Sequence, residues 1–210
     1  MNKVLVSLLL TLGITGMAHA AGDAEAGQGK VAVCGACHGT DGNSPAPNFP
    51  KLAGQGEAYL LKQLKDIKAG STPGAEAGVG RKVLEMTGML DPYSEQDLED
   101  IAAYYASQKV TVGMADPALV ELGEKLYRGG KLDLGMPSCT GCHAPDGSGN
   151  DLALYPQLGG QHAAYTAKQL TDFREGNRTN DGEAMIMRSI AAKLSNKDIE
   201  ALASYIQGLH

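Results

Sequence analysis

Cys34-Gly35-Ala36-Cys37-His38 returns 105 residues later as Cys139-Thr140-Gly141-Cys142-His143. Outward from this pair the likeness continues. Tyr59-Leu60-Leu61-Lys62-Gln63-Leu64-Lys65-Asp66 matches Tyr165-Thr166-Ala167-Lys168-Gln169-Leu170-Thr171-Asp172 at an offset of 106. Ser94-Glu95-Gln96-Asp97-Leu98-Glu99-Asp100-Ile101 matches Ser195-Asn196-Lys197-Asp198-Ile199-Glu200-Ala201-Leu202 at an offset of 101. Three matches in one order mark a tandem duplication. The changing offset places five extra residues of the first copy in the Gly-rich stretch around Pro73 to Gly80.

The matched segments read as helices. Glu57 to Ala69 sets Leu60, Leu61, Leu64 and Ile67 at helical spacing. Ser94 is an expected N-cap with Asp97 three residues on, and Leu98, Ile101, Ala102 and Tyr105 form an apolar stripe; Ser195 and Asp198 repeat the cap. No stretch alternates as a strand does. Each copy is therefore expected to be all-α, with roughly three helices joined by long Gly/Pro-rich loops of the kind that a ligand or function orders. Val110 to Pro117 reads as the linker, with Asp116 as cap and Pro117 in the first turn of the next helix. The division is a leader over 1–20, a first domain over 21–112 and a second over 113–210.

Asn2 and Lys3, an apolar run from Val4 to Ile14 and Ala18-His19-Ala20 read as a cleaved export signal. The run is short for a span, which needs roughly 20 residues; an uncleaved anchor is the rival reading. The net charge of -6 becomes -7 once Lys3 is removed, which argues against a nucleic-acid partner and suits one with a positive patch.

Cys-x-x-Cys-His is the attachment signature of c-type haem. Two thiols three positions apart on one helical turn can each form a thioether to a haem vinyl group, and the next His supplies an axial nitrogen. Other readings explain less. Two structural disulfides suit an exported chain but not this spacing. A thioredoxin-type pair expects an α/β domain. A shared zinc site leaves both histidines without a purpose. The pattern therefore predicts two covalent haem c groups, one on Cys34 and Cys37 with axial His38, the other on Cys139 and Cys142 with axial His143.

Met is one occupant of the sixth iron position. Of eight methionines, only Met86 and Met187 fall at one aligned position when the offset of 101 is carried back from the last helices. Both are expected in the loop before the last helix, with Met89 and Met185 as the nearest alternatives; Met114 and Met136 read as structural. Thioether ligation raises the reduction potential and closes the iron to peroxide or oxygen, which favours electron transfer over catalysis. Pro50 and Pro156 follow their histidines at 12 and 13 residues. Their carbonyls could fix the ligand ring or the prolines could simply punctuate turns. Gly27 and Gly123 would let the last helix of each copy cross the first closely, near Tyr104 and Tyr205.

Each half resembles a class I cytochrome c domain, and the tandem resembles the cytochrome c4 family of dihaem periplasmic proteins. The likeness covers the chain beyond the leader. It rests on Cys34 to Gly39, Pro50-Lys51-Leu52-Ala53-Gly54-Gln55, Cys139 to Ala144, Gly159-Gly160-Gln161 and the Lys-Gln-Leu segments. The resemblance implies axial pairs His38 with Met86 and His143 with Met187, and two domains about a pseudo-twofold axis with haem propionates near their interface. It implies a monomeric, non-enzymatic periplasmic carrier that takes electrons from an upstream cytochrome and delivers them to a membrane haem-copper oxidase, with loose membrane association. A dihaem peroxidase-like enzyme and a haem subunit dedicated to a dehydrogenase complex are the alternatives.

Overall fold

The computed structural model describes residues 22–72 and 78–210. The expected leader lies outside the described residues, as does most of the Gly-rich insertion. Among the described residues there are nine α-helices and no strand, only the isolated bridges Lys131–Met136 and Asn150–Tyr155. In the first half these are α1 (Ala24–Gln28), α2 (Gly35–His38), α3 (Glu57–Gly70) and α4 (Glu95–Ala106). In the second they are α5 (Pro117–Gly129), α6 (Thr140–His143), α7 (Ala163–Arg174), α8 (Ile186–Ala191) and α9 (Asn196–Gln207).

The two last helices begin as the sequence dictates. Ser94 and Ser195 each accept from the amide three residues on, and Asp97 and Asp198 reach back to the cap amide. Asp116 accepts from the Ala118 amide and Pro117 opens α5. Each last helix crosses its first helix where a glycine sits. A Cβ on Gly27 would stand 2.0 Å from the Asp100 carbonyl oxygen, and one on Gly123 would stand 2.4 Å from that of Ala201. Both glycines also lie against the Cβ atoms of Tyr104 and Tyr205. The crossing therefore admits no side chain at either position.

The cores are those of the apolar stripes. Leu98, Ile101, Ala102 and Tyr105 are buried in the first half, with Leu60 and Ile67 from α3. Leu126, Tyr127, Met136, Ile199, Leu202 and Ile206 fill the second. Met136 is thus structural as expected. Met114 is not part of a core: its side chain is exposed on the connecting segment, because that segment is anchored by its backbone, as in the Gln207 amide bond to the Met114 carbonyl (2.8 Å). The expectation of about three helices per half is also too low, since each motif closes its own short helix and Met187 lies in α8 rather than in a loop.

The halves meet through reciprocal bonds. Gln55 accepts from the Gln157 amide (2.8 Å) and donates to the Gln157 carbonyl (2.9 Å). Gln161, 106 residues after Gln55, does the same to Lys51, with both bonds at 2.9 Å. His162 Nε2 adds a contact to the Ser44 carbonyl at 2.8 Å. The two glutamine clasps are counterparts with the roles of the halves exchanged, as a pseudo-twofold arrangement requires.

Candidate functional site: two thiol-histidine centres

Cys34 and Cys139 cap the short helices that carry the rest of their motifs. No disulfide joins Cys34, Cys37, Cys139 or Cys142. Cys34 packs against the Val31–Tyr105 cluster and Cys139 against the Tyr127–Leu202 cluster. Burial pushes the Cys34 thiol up, and that of Cys139 up to about 11.

His38 and His143 are buried at 7% and 6% exposure. The Nδ1 of His38 lies 2.9 Å from the Pro50 carbonyl, and that of His143 lies 2.9 Å from the Pro156 carbonyl. A carbonyl only accepts, so Nδ1 carries the proton in each ring and Nε2 is left as the basic nitrogen. The two prolines therefore do more than turn the chain; their carbonyls fix tautomer and ring orientation, as in the outer shell of a metal-bound imidazole. Burial lowers both histidine pKa values against the opposing pull of the carbonyl bond, which favours the neutral, ligating form. Phe49 and Tyr155 pack against the two rings, with centroids 6.2 and 6.1 Å apart.

Met86 ends a 3-10 turn (Leu84–Met86), and Met187 lies in the first turn of α8. Both are half-buried, whereas the alternatives Met89 and Met185 are exposed at 37% and 47%. Met86 packs on the Ile67–Leu90–Leu98 cluster, on the α3 side of the first core.

These donors fit a covalent haem. Each half offers two unpaired thiols, a neutral imidazole with Nε2 free, and a half-buried thioether. The first half also holds the Tyr105 hydroxyl, buried without a hydrogen-bond partner, the mark of a core shaped around a polar group the polypeptide does not supply. Among the described residues no cluster of His, Cys, Asp and Glu forms a metal site, so a shared zinc centre has no structural basis there.

Sequence reasoning missed the residues that join the two centres. Gln55, Gln161, Arg81, Arg178 and Asp151 all bond across the halves. The repeated glutamines were visible at an offset of 106, and no core position requires a glutamine.

The cytochrome c family model matches residues 24–109 and again 120–210. Cytochrome c4 of Stutzerimonas stutzeri is 87% identical over 210 residues, all of both chains. The thiosulfate dehydrogenase electron acceptor of Thiomonas intermedia is 32% identical over 84% of this chain and 78% of its own. The crystal structure of reduced recombinant cytochrome c4 from Pseudomonas stutzeri superposes with a TM-score of 0.89 at 85% identity, covering 90% of this chain and all of that one. Two cytochrome c domains in tandem, each with its own thiol-histidine centre, make this chain a member of the cytochrome c4 family, dihaem electron-transfer proteins with two covalently bound haem c groups.

Proposed function

We propose that Cys34 and Cys37 hold the first haem, with His38 and Met86 as its axial ligands, and that Cys139 and Cys142 hold the second, with His143 and Met187. The observation that carries this reading is the imidazole set twice in the same way, Nδ1 on a proline carbonyl at 2.9 Å, directly after a pair of free thiols. The half-buried state of Met86 and Met187 beside their exposed neighbours supports the methionine assignment. The iron supplies one-electron exchange between ferric and ferrous states. The chain's own part is to bind through the thiols, orient the imidazoles through Pro50 and Pro156, and close the sixth positions with thioethers, which raises the potentials and leaves no coordination site for a substrate.

In this reading the chain is a monomeric periplasmic carrier with a cleaved leader over 1–20 and domains over 21–112 and 113–210. It takes single electrons from an upstream cytochrome and passes them to a membrane haem-copper oxidase, with loose association to the membrane. No helix among the described residues is long and apolar enough to cross a membrane. The test is oxidation of the reduced protein by oxidase-containing membranes. Cyanide-sensitive oxidation at a rate matching respiration is expected; no acceleration over buffer would reject the oxidase as acceptor. Carbon monoxide should leave both reduced haems unbound, and rapid stoichiometric binding at one would favour a peroxidase-like enzyme. The likeness to a thiosulfate dehydrogenase electron acceptor supports a second reading, service to one dehydrogenase. Reduction by a purified thiosulfate dehydrogenase, faster than by other donors, would decide for it.

A further inference from the structure

Arg188, the residue after Met187, is held at two points by a single carboxylate. Its backbone amide donates to Asp181 Oδ2 at 2.9 Å, and its Nε donates to Asp181 Oδ1 at 2.7 Å. Its Nη2 donates to the carbonyls of Thr179 (3.3 Å) and Gly182 (3.2 Å). The Asp181 side chain is 5% exposed and that of Arg188 25%. The pair closes residues 181–188 into a ring of charge-assisted bonds that is largely withdrawn from water. Met187 is carried inside that ring.

The ring supplies what α8 lacks at its start. The cap position, Met185, makes no side-chain cap bond and holds φ 47 and ψ 42. That left-handed conformation is uncommon for a residue with a side chain and persists where the surroundings impose it. Met187 and Arg188 are the second and third residues of α8, in the turn whose amides have no carbonyl partner within the helix. Asp181 takes the Arg188 amide from four residues before the cap. The first domain has no such device. Counted back at the offset of 101, Arg188 and Asp181 become Thr87 and Gly80, and neither carries a charge. There the turn closes through its backbone, Met86 amide to Val83 carbonyl at 3.0 Å and Thr87 amide to Leu84 carbonyl at 3.2 Å, while the Met86 side chain packs on Ile67, Leu90 and Leu98. The polar bracket is thus a property of the second methionine alone.

We propose that Asp181, acting through Arg188, is the positioning residue that keeps the Met187 thioether on the second iron against competing ligands. The proposal rests on Met187 being an axial ligand, as proposed above. A thioether is a soft, neutral donor and a poor match for ferric iron, so its retention depends on how firmly the chain holds the sulfur in place. Fixing the residue next to Met187 by backbone and side chain together limits how far that sulfur can withdraw. The effect is confined to the second haem, because the first methionine is held by apolar packing and a backbone turn.

The test is displacement of the ferric thioether band by imidazole in protein that carries both haems. Met86→Ala and Met187→Ala serve as two backgrounds, since each leaves the band of one haem only. A full band in Met187→Ala would refute the axial reading itself. With half of the band lost there, Asp181→Ala in the Met86→Ala background should let imidazole displace the remaining band at about tenfold lower concentration, a usual cost of losing a residue that orients a metal ligand. In the Met187→Ala background the same change should leave the first haem's titration where it was. Asp181→Asn keeps one acceptor and should recover part of the loss. An unchanged midpoint at the second haem would overturn the proposal by showing that the bracket does not hold the ligand. Equal shifts at both haems would overturn it as well, by reducing Asp181 to general stability. Where Asp181→Ala does not fold, Arg188→Gln takes its place and keeps the amide bond to Asp181. A shift confined to the second haem is again expected, and none would overturn the proposal.

Discussion

Asp151, in the second domain, closes the N-terminus of a helix in the first: its Oδ1 accepts the Tyr59 amide at 3.2 Å, and its Oδ2 accepts the Ala58 amide at 3.3 Å. The cap position of α3 is Gly56, which has no side chain to offer, and a Cβ there would lie 2.3 Å from Asp151 Oδ1. The domain contact thus doubles as a helix cap. Asp151→Ala should destabilise the protein by about 1 kcal/mol in denaturant unfolding, as loss of a cap typically does. Asp151→Asn should recover most of it. An unaltered midpoint in the alanine variant would show that the cap contributes nothing.

Replacing either methionine of the proposed axial pairs tests one haem at a time. Met86→Ala and Met187→Ala should each remove about half of the weak long-wavelength band of ferric thioether-ligated haem and lower the potential of that haem alone. Met89→Leu and Met185→Leu, at exposed positions, should leave band and potentials as they are. The reverse pattern would reassign the ligands.

The residue after each motif histidine carries a backbone strain in one domain and not in the other. Gly39 has φ 78 and ψ 147, and its counterpart Ala144 has φ 66 and ψ 159. This region is essentially closed to side chains and costs a residue that has one about 1–3 kcal/mol. Ala144→Gly should therefore stabilise the second domain by about 1 kcal/mol, read as a higher thermal midpoint with unchanged potentials. A lower midpoint would show that the Ala144 methyl packs better than the strain costs.

Acid should weaken both helix crossings. Lys30 holds the Asp97 carboxyl low through a 2.6 Å contact, with Ser94 assisting. The Asp23 amide and then Lys30 hold Asp100 low. In the second domain Lys131 and Ser195 hold Asp198 low against burial, which pushes it up. All three pKa values fall on folding, so the stabilisation is complete above the unfolded carboxylate value of about 3.9 and is lost as pH falls through the folded values. Thermal midpoints should be level near pH 6 and decline below about pH 4. Asp100→Asn should flatten part of the decline; an identical slope would remove Asp100 from the account.

Much of this was legible because the duplication turned one sequence into two witnesses. The caps at Ser94 and Ser195, the α3 boundary and the glycine crossings at Gly27 and Gly123 follow from local chemistry that neighbouring residues state outright. Paired thiols, histidines and methionines were legible for the same reason. The cross-domain set was not. Arg81 and Arg178 have different neighbours in sequence, the length difference between the copies falls just before Arg81, and Asp151 has no repeated partner. A bond between residues 92 apart, such as Asp151 to Tyr59, leaves no periodic trace. The helix Ile186–Ala191 that holds Met187 is too short to announce itself by spacing.

The reciprocal glutamine clasps carry a last consequence. Gln55 and Gln161 each satisfy a backbone segment of the opposite domain, so each domain displays a surface that only the other completes. Severing the chain between Thr111 and Asp116 would yield two fragments, each with one haem centre, whose exposed amides and carbonyls are mutually complementary. Such fragments should seek each other as an unlike pair in preference to their own kind. The covalent connection would then act mainly to raise their local concentration, while the specificity of the pairing resides in side chains that one gene duplication supplied to both.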